Sequence, residues 1–376
     1  GILNVWLIFR ITEKLTAGKN FALIMGIVYN FNFFVVGFEF QILTETLSIT
    51  LLLAVLLLYL ELFKGKKGIA VVGGILAVLL IYTRPTFLLL GIGLPLLTLI
   101  AYLPLSKGRD FRKKYAWILI LFVLINIAGI GAWTLRNKIK FNYSGISSLM
   151  PYQLYYYTNS LFEKYQPSGD PLQDAVARVY LEEFRKTAYS KATIFSFHQR
   201  LNQEMGLSDA EIAREFMKVN LKLIRDYPWD YMKQVPSSLK SYFRQYSPYW
   251  TAGNAKKFLN TSSLIPAVFR IFHIVYQTFF MNPVLLILMI VAAPLYLLVR
   301  TFREKKIFHG WLVIWAAVQY NCFISVLSTN AGINNLRYRQ TVEPLILLMF
   351  FSAFFILGKD LVNKLRHRSK SANHLS

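Results

Sequence analysis

The sequence predicts an all-α integral membrane protein, and three observations carry that reading. The chain is 55% hydrophobic and only 16% charged, whereas a soluble domain is near 45–50% apolar and about a quarter charged. It contains eight apolar stretches near the length that crosses a bilayer, about 17–25 residues, a few of them reaching only 15 or 16 and extended by interfacial neighbours. Its Lys and Arg residues concentrate in the connectors on one side of those stretches. Aromatic residues are abundant, with 30 Phe, 22 Tyr and 7 Trp. This composition excludes a disordered chain, a coiled coil and an ordinary soluble enzyme.

The candidate spans are Phe21–Phe38, Thr46–Leu62, Gly68–Tyr82, Thr86–Leu103, Ala116–Leu135, Pro283–Val299, Phe308–Val326 and Val342–Leu357. The opening stretch Ile2–Phe9 is apolar but covers only about 12 Å as a helix. With Gly1 rather than Met before it, it reads as the tail of a helix in an N-terminally truncated protein. No basic segment precedes it, as one would in a signal peptide.

Five connectors set the orientation: Arg10–Lys19, Lys64–Lys67, Lys107–Lys114, Arg300–Lys306 and Lys359–Lys370. Together they hold 20 basic residues and four acids. If the eight spans alternate, all five fall on one side, which the positive-inside rule makes cytoplasmic. This accounts for much of the net charge of +23 through anionic lipid at the inner leaflet, without nucleic acid. Leu264–Phe280 carries Arg270, His273 and Gln277, and reads as an interfacial helix leading into the Pro283 span. The chain therefore divides into an N-terminal membrane bundle (1–135), an external helical domain (136–270), C-terminal membrane helices (271–358) and a basic cytoplasmic tail (359–376).

The external segment Arg136–Arg270 holds 19 basic and 11 acidic residues. Pro167–Asp170 reads as a turn and Asp170–Phe184 as a helix. Ser208 and Glu211 have the spacing of a capping box. They open a helix with apolar Ile212, Phe216, Val219 and Leu223 on one face. Pro228 ends it and starts another that runs through Tyr231 to Tyr246. Asn142–Ser144 and Asn260–Ser262 are glycosylation sequons of the kind that arise by chance.

Cys322 is the one cysteine and the five histidines are scattered, so no disulfide scaffold or cysteine-rich metal site is expected. Without a tight carboxylate cluster the sequence assigns no cofactor, and a divalent metal stays open. No glycine-rich phosphate loop or nucleophile elbow is present. The informative residues lie at the outer membrane boundary: Glu39, Gln41, Thr44 and Glu45; Arg84-Pro85; Arg136; and Arg337-Tyr338-Arg339 with Glu343. Four arginines stand where the positive-inside rule disfavours them. A guanidinium fork suits a phosphate, because it donates two parallel hydrogen bonds and keeps its charge. Plain alternatives stand beside this reading. Arg84 snorkels to the headgroups, Arg136 anchors a helix end, Arg337 and Arg339 pair with Glu343, and Glu45 answers the helix dipole. Asn30, Asn32, Gln319 and Asn321 read as bridges between helices, and Cys322 as a packed small residue.

Several of these stretches resemble motifs of the bacterial membrane glycosyltransferases of family 39, relatives of the protein O-mannosyltransferases and of the aminoarabinose transferase of lipid A. Thr44-Glu45-Thr46-Leu47 resembles their "TETL" step, and Gly74–Thr86 their "GLLLGLALLTRPT" hairpin. Trp133–Asn137 is similar to "WTxRN", and Arg337–Pro344 to "RYRLPVEP". Ala213–Tyr231 resembles their "HP…Y" helix pair, with Tyr227-Pro228 in place of His-Pro. The resemblance implies a GT-C-like helix bundle with a cavity at the non-cytoplasmic face, probed there by Glu45, Arg84, Arg136, Arg337 and Arg339. It implies a polyprenyl-phosphate sugar as donor and a glycan, lipid or protein as acceptor, in a bacterial plasma membrane with residues 136–270 on the periplasmic side. Family members carry an acidic general base on a loop after a first span. Nothing in this sequence matches that loop, so the chain as given is expected to be inactive. Glu45 is the nearest carboxylate to a catalytic role. The substrate-binding candidates are Arg84, Arg136, Arg337, Tyr338 and Arg339, with Tyr338 placed to stack on the sugar or hydrogen-bond the phosphate. A transporter or flippase of lipid-linked sugars, or a noncatalytic membrane subunit, is the alternative.

Overall fold

The computed structural model describes residues 1–16, 18–30, 44–62, 66–102, 109–187, 192–243, 282–304, 308–328 and 333–372. Among these every regular element is helical. The expected interfacial helix Leu264–Phe280, the sequon Asn260–Ser262 and residues Asn32, Glu39 and Gln41 lie outside the described residues. The chain forms two compact units. One comprises Gly1–Ile125, Phe243–Cys322 and Arg337–Ser376; the other comprises Asn126–Tyr242 and Phe323–Leu336.

In the first unit the opening stretch lies in a helix, α1 (Ile2–Thr16), whose Leu7, Ile8, Ile11 and Leu15 are buried. It continues through Arg10 and Lys14, which the charge pattern reads as a connector. The reason is local: Arg10 pairs with Glu13 at 2.7 Å one turn on, and Lys14 pairs with Glu61. Helix α2 (Lys19–Asn30) packs on α1. Helices α3 (Thr44–Leu62) and α4 (Lys67–Thr83) form the most extensively paired hairpin. Gly74 fits closely there, since a Cβ would meet Ile125 Cγ2 at 3.0 Å. Helix α4 stops because Pro85 disfavours helical backbone at the residue before it. Arg84 is accordingly extended, at φ −142° and ψ 102°, and a short 3-10 turn, Pro85–Phe87, leads to α5 (Leu90–Tyr102).

Helix α6 (Arg109–Phe141) follows. Later come α13 (Pro283–Ile287), a π turn (Leu288–Ala292) and α14 (Ala293–Glu304), then α15 (Phe308–Ser328) and α16 (Ile333–Ala372). A π turn widens the helix and misaligns its carbonyls. Here Gln319 Nε2 of α15 donates to the Ile290 carbonyl at 3.1 Å, which makes Gln319 an interhelix bridge. Arg300 of α14 forks onto Asp360 of α16 and donates to the Ile356 carbonyl at 3.3 Å.

Four helical stretches are long and apolar enough to cross a membrane: Thr44–Leu62, Tyr115–Phe141, Gly310–Leu327 and Thr341–Asn363. Lys67–Thr83, Pro85–Ile100 and Leu288–Arg300 are apolar but shorter. The helix of this stretch runs to Phe141, so it continues about 9 Å past the expected limit at Leu135. Arg136 interrupts the sequence pattern there without ending the helix.

The second unit is built from α7 (Met150–Thr158), a 3-10 turn (Asn159–Lys164), α8 (Pro171–Thr187), α9 (Ala192–Met205), α10 (Asp209–Asp226), α11 (Pro228–Met232) and α12 (Val235–Tyr242). The predicted capping box is present, with Ser208 N donating to Glu211 Oε2 at 2.9 Å. Ile212, Phe216, Val219 and Leu223 all enter the core. Phe216 sits in an aromatic cluster with Tyr152, Tyr155, Phe162, Tyr180 and Phe197, at centroid separations of 4.9–6.2 Å. The expected turn forms around Asp174, which accepts from the Ser168 and Gly169 amides and from the Tyr165 hydroxyl. Gly169 adopts φ 84° there, a conformation that favours glycine. The unit also takes in Phe323–Leu336, distant in chain order, and Tyr231 Oη donates to the Leu327 carbonyl.

Candidate functional site

Ion pairs in the first unit sort to opposite ends of its helices. Lys14–Glu61 and Arg300–Asp360 lie at ends that carry basic connectors. At the opposite ends of α3 and α4, Arg84 Nη2 meets Glu45 Oε1 at 2.8 Å. Arg84 Nη1 also donates to Thr341 Oγ1 of α16 at 3.1 Å. Two residues selected from sequence are thus brought together, with a third, Thr341, that sequence reasoning did not single out.

The pair is buried: Glu45 is 1% exposed and Arg84 8%. Glu45 stands in the first turn of α3, where the helix dipole favours a carboxylate. Arg84 reaches it because the extended backbone before Pro85 turns the side chain off the axis of α4. Two unit charges 4 Å apart attract by about 4 kcal/mol at an effective dielectric constant near 20. Removing each from water costs several kcal/mol. The two contributions nearly cancel, so the pair fixes geometry more than it adds stability.

The turn bearing Arg84 has its own support. Tyr320 Oη of α15 donates to the Thr86 carbonyl at 2.6 Å and accepts from the Leu89 amide at 3.2 Å. It therefore bridges the two ends of the bend, satisfying backbone groups that the break between α4 and α5 leaves over. No periodicity marks Tyr320 in the sequence. An aromatic hydroxyl in an apolar span was the available signal, and partner choice could be known only from the fold.

Arg339 and Glu343 lie one turn apart on α16, on the same face as any i, i+4 pair, and both are fully buried. The charge of Arg339 acts on Cys322 of α15, which places α15 beside this part of α16. Arg337 and Tyr338 belong to the same first turns of α16, but their side chains lie outside the described residues. Asn321 and Ser325 are also buried polar groups on α15. The first unit thus holds buried Glu45, Arg84, Arg339 and Glu343, two cations and two anions, on α3, α4 and α16.

Arg136 belongs to the second unit. Its guanidinium lies 5.0 Å from the ring centroids of both Trp133 and Phe141, and Nη1 donates to Asn137 Oδ1 at 2.9 Å. Asn137 in turn donates to the Gly145 carbonyl at 2.8 Å, and Trp133 Nε1 to the Ile146 carbonyl at 3.1 Å. Gly145 is required in this turn, because a Cβ would lie 2.3 Å from the Tyr143 ring.

Chemically, the buried set offers two guanidinium groups, and that of Arg84 is fixed by the Glu45 carboxylate and the Thr341 hydroxyl. Among the described residues no group of three or more His, Cys, Asp and Glu is placed to hold a metal ion. No family model, curated protein or solved structure matches the chain. The motif resemblance therefore rests on the sequence alone.

Proposed function

We propose that this chain is the membrane part of a transferase that moves a sugar from a polyprenyl phosphate to an acceptor at the non-cytoplasmic face of a bacterial plasma membrane. The observation that supports it is the burial of Arg84 and Arg339 at helix ends opposite the basic connectors. Charged residues in membrane segments are costly and mark functional sites by default. In this reading the leaving group is a lipid phosphate whose negative charge grows as the bond to the sugar breaks. Preorganised guanidinium groups in a water-poor cavity stabilise such charge. Arg337 and Arg339 take that role first, then Arg84. Glu45 orients Arg84 by their ion pair, and Thr341 fixes the second nitrogen. The acceptor hydroxyl needs a base within hydrogen-bond reach, and none of the residues described is assigned that role.

Binding of tritiated undecaprenyl phosphate to the full gene product in detergent tests this reading. Arg339→Ala is expected to weaken binding by 10-fold or more, with Arg339→Lys intermediate because a single ammonium replaces the fork. Equal binding by wild type and Arg339→Ala at equal folded protein would remove the site from the mechanism. Translocation of a lipid-linked sugar across vesicles, without transfer to any acceptor, would replace the transferase by a flippase.

A further inference from the structure

The end of α6 carries a second feature, separate from the buried charges on α3, α4 and α16. Along this helix Trp117, Ile120, Leu124, Ile127, Leu135 and Ile139 are all exposed. Only 22% of its most apolar stretch is buried, against 56% for Thr44–Leu62. From Trp117 to Ile139 this stripe runs about 33 Å at 1.5 Å per residue, close to the roughly 30 Å hydrocarbon thickness of a bilayer. Acyl chains are what covers a stripe of that length and composition.

At its last turns the stripe acquires a basic neighbour. Leu135 and Ile139 are 60% and 71% exposed, and being four apart they stack on one face. Arg136 and Lys140 are also four apart, and each follows its apolar counterpart by one residue, so the basic row runs parallel to the apolar one about 100° around the helix. Both cations are exposed. No acid stands near them in the chain, since Phe111–Phe162 contains no Asp or Glu. Lys138 differs, because its Nζ donates to Asn142 Oδ1 at 2.9 Å and so serves the helix terminus. Arg136 is held by Trp133, Phe141 and Asn137, so little side-chain entropy remains to be lost when it binds an anion. Exposed Leu149 and Met150 begin the next helix and add apolar surface beyond the turn.

We infer that the C-terminal end of α6 binds the phosphate of an anionic phospholipid, with Arg136 and Lys140 on the headgroup and Leu135 and Ile139 under the adjoining acyl chain. The parallel rows match the build of a diacyl phospholipid, whose charge and hydrocarbon are joined end to end. A guanidinium held 5.0 Å from two ring centroids is a cation of fixed position, and Arg is the side chain suited to bidentate recognition of phosphate. The inference does not depend on the transferase chemistry: the motif resemblance counts Arg136 among substrate-binding candidates, but the proposed phosphate site is built from Arg84, Arg337 and Arg339.

Native mass spectrometry of the purified full gene product, with dioleoylphosphatidylglycerol or dioleoylphosphatidylcholine added as the probe, tests it. The phosphatidylglycerol is expected to be retained at least five-fold more than the phosphatidylcholine, and Arg136→Gln/Lys140→Gln to abolish the preference. Lys138→Gln is expected to leave it within two-fold. Phe141→Leu, which keeps every charge but removes one brace, should weaken retention and serves if the double variant does not fold. Equal retention of the two lipids by wild type overturns the proposal, as does an unchanged preference in the double variant or, failing it, in Phe141→Leu. So does stoichiometric displacement of phosphatidylglycerol by undecaprenyl phosphate, which would assign the site to the carrier instead.

Discussion

The two compact units handle charge differently. In the second unit ion pairs are numerous and their cations reach water, although two of the carboxylates, Glu183 and Glu215, are buried. Arg200 reaches Glu182, Glu183 and Glu204, and Asp230 lies between Lys164 and Lys233. Its interior is instead an aromatic cluster centred on Phe216 and Tyr180. In the first unit the interior is aliphatic and charges are sparse, yet Glu45, Arg84, Arg339 and Glu343 are withdrawn from solvent. Water makes surface pairs nearly worthless and exchangeable, whereas a buried charge must be held by something specific.

The sharpest way to break this contrast is to remove one partner from each kind of pair. Glu45→Ala strands Arg84 and is expected to cost about 3–5 kcal/mol, the usual penalty for an uncompensated buried charge. Arg200→Ala, cutting contacts with the exposed Glu182 and Glu204 and with Glu183, is expected to lower the unfolding midpoint far less, because water screens its guanidinium. Thermal unfolding in detergent measures both, and similar losses would erase the distinction. The combined change Glu45→Leu/Arg84→Met should recover much of the stability while abolishing carrier binding, because apolar pairs of similar volume replace buried ion pairs at little cost.

Activity offers the next largest effect. Arg337→Ala is expected to lower sugar-transfer turnover by 10-fold or more, about 1.4 kcal/mol in the barrier, without lowering protein level. Unchanged turnover would leave Arg339 and Arg84 as the phosphate ligands. In the second unit, Ser208→Ala removes half of the capping box and should cost about 1 kcal/mol, read as a lower unfolding midpoint with no change in carrier binding. The smallest effect concerns acid. The Lys164 ammonium, donating at 2.7 Å, together with Lys233 holds the Asp230 carboxyl down at about 2. A carboxyl depressed on folding contributes above its ordinary value near 3.9, and the contribution is lost as pH falls toward about 2. Carbon-detected NMR titration should place its midpoint there, and Lys164→Met should raise it. Because Asp230 is partly exposed, added salt is expected to shrink the shift.

Sequence pattern resolved the helical class and much of the second unit because periodicity and capping are local. Ser208 and Glu211 lie three residues apart, and the apolar face of α10 repeats within one helix. The boundary residues were legible as a set: Glu45 and Arg84 stand out because charge is rare at such positions. Their partnership was not legible, since 39 positions separate them and only the fold brings their ends together. Thr341 and Tyr320 went unmarked for the same reason. Their hydroxyls matter through partners 257 and 234 residues away. The extent of α1 was misread because the positive-inside pattern treats clustered cations as a connector, whereas Arg10 and Lys14 meet carboxylates that let the helix continue.

The π turn at Leu288–Ala292 has a consequence for how this chain tolerates change. A wide turn accommodates one residue more than an α-helical turn, and each residue advances a helix by about 100°. A plain helix would hand the offset of one extra residue, about 100°, to everything from Ala293 to Glu304, whereas the wide turn absorbs it and leaves the direction of Arg300 unchanged. A one-residue deletion between Leu288 and Ala292 would therefore restore regular winding and free Gln319 from the Ile290 carbonyl, while Arg300 would still face Asp360. The segment works as a vernier: length variation that a plain helix would pass on to its whole remaining surface is here confined to a setting that two contacts hold.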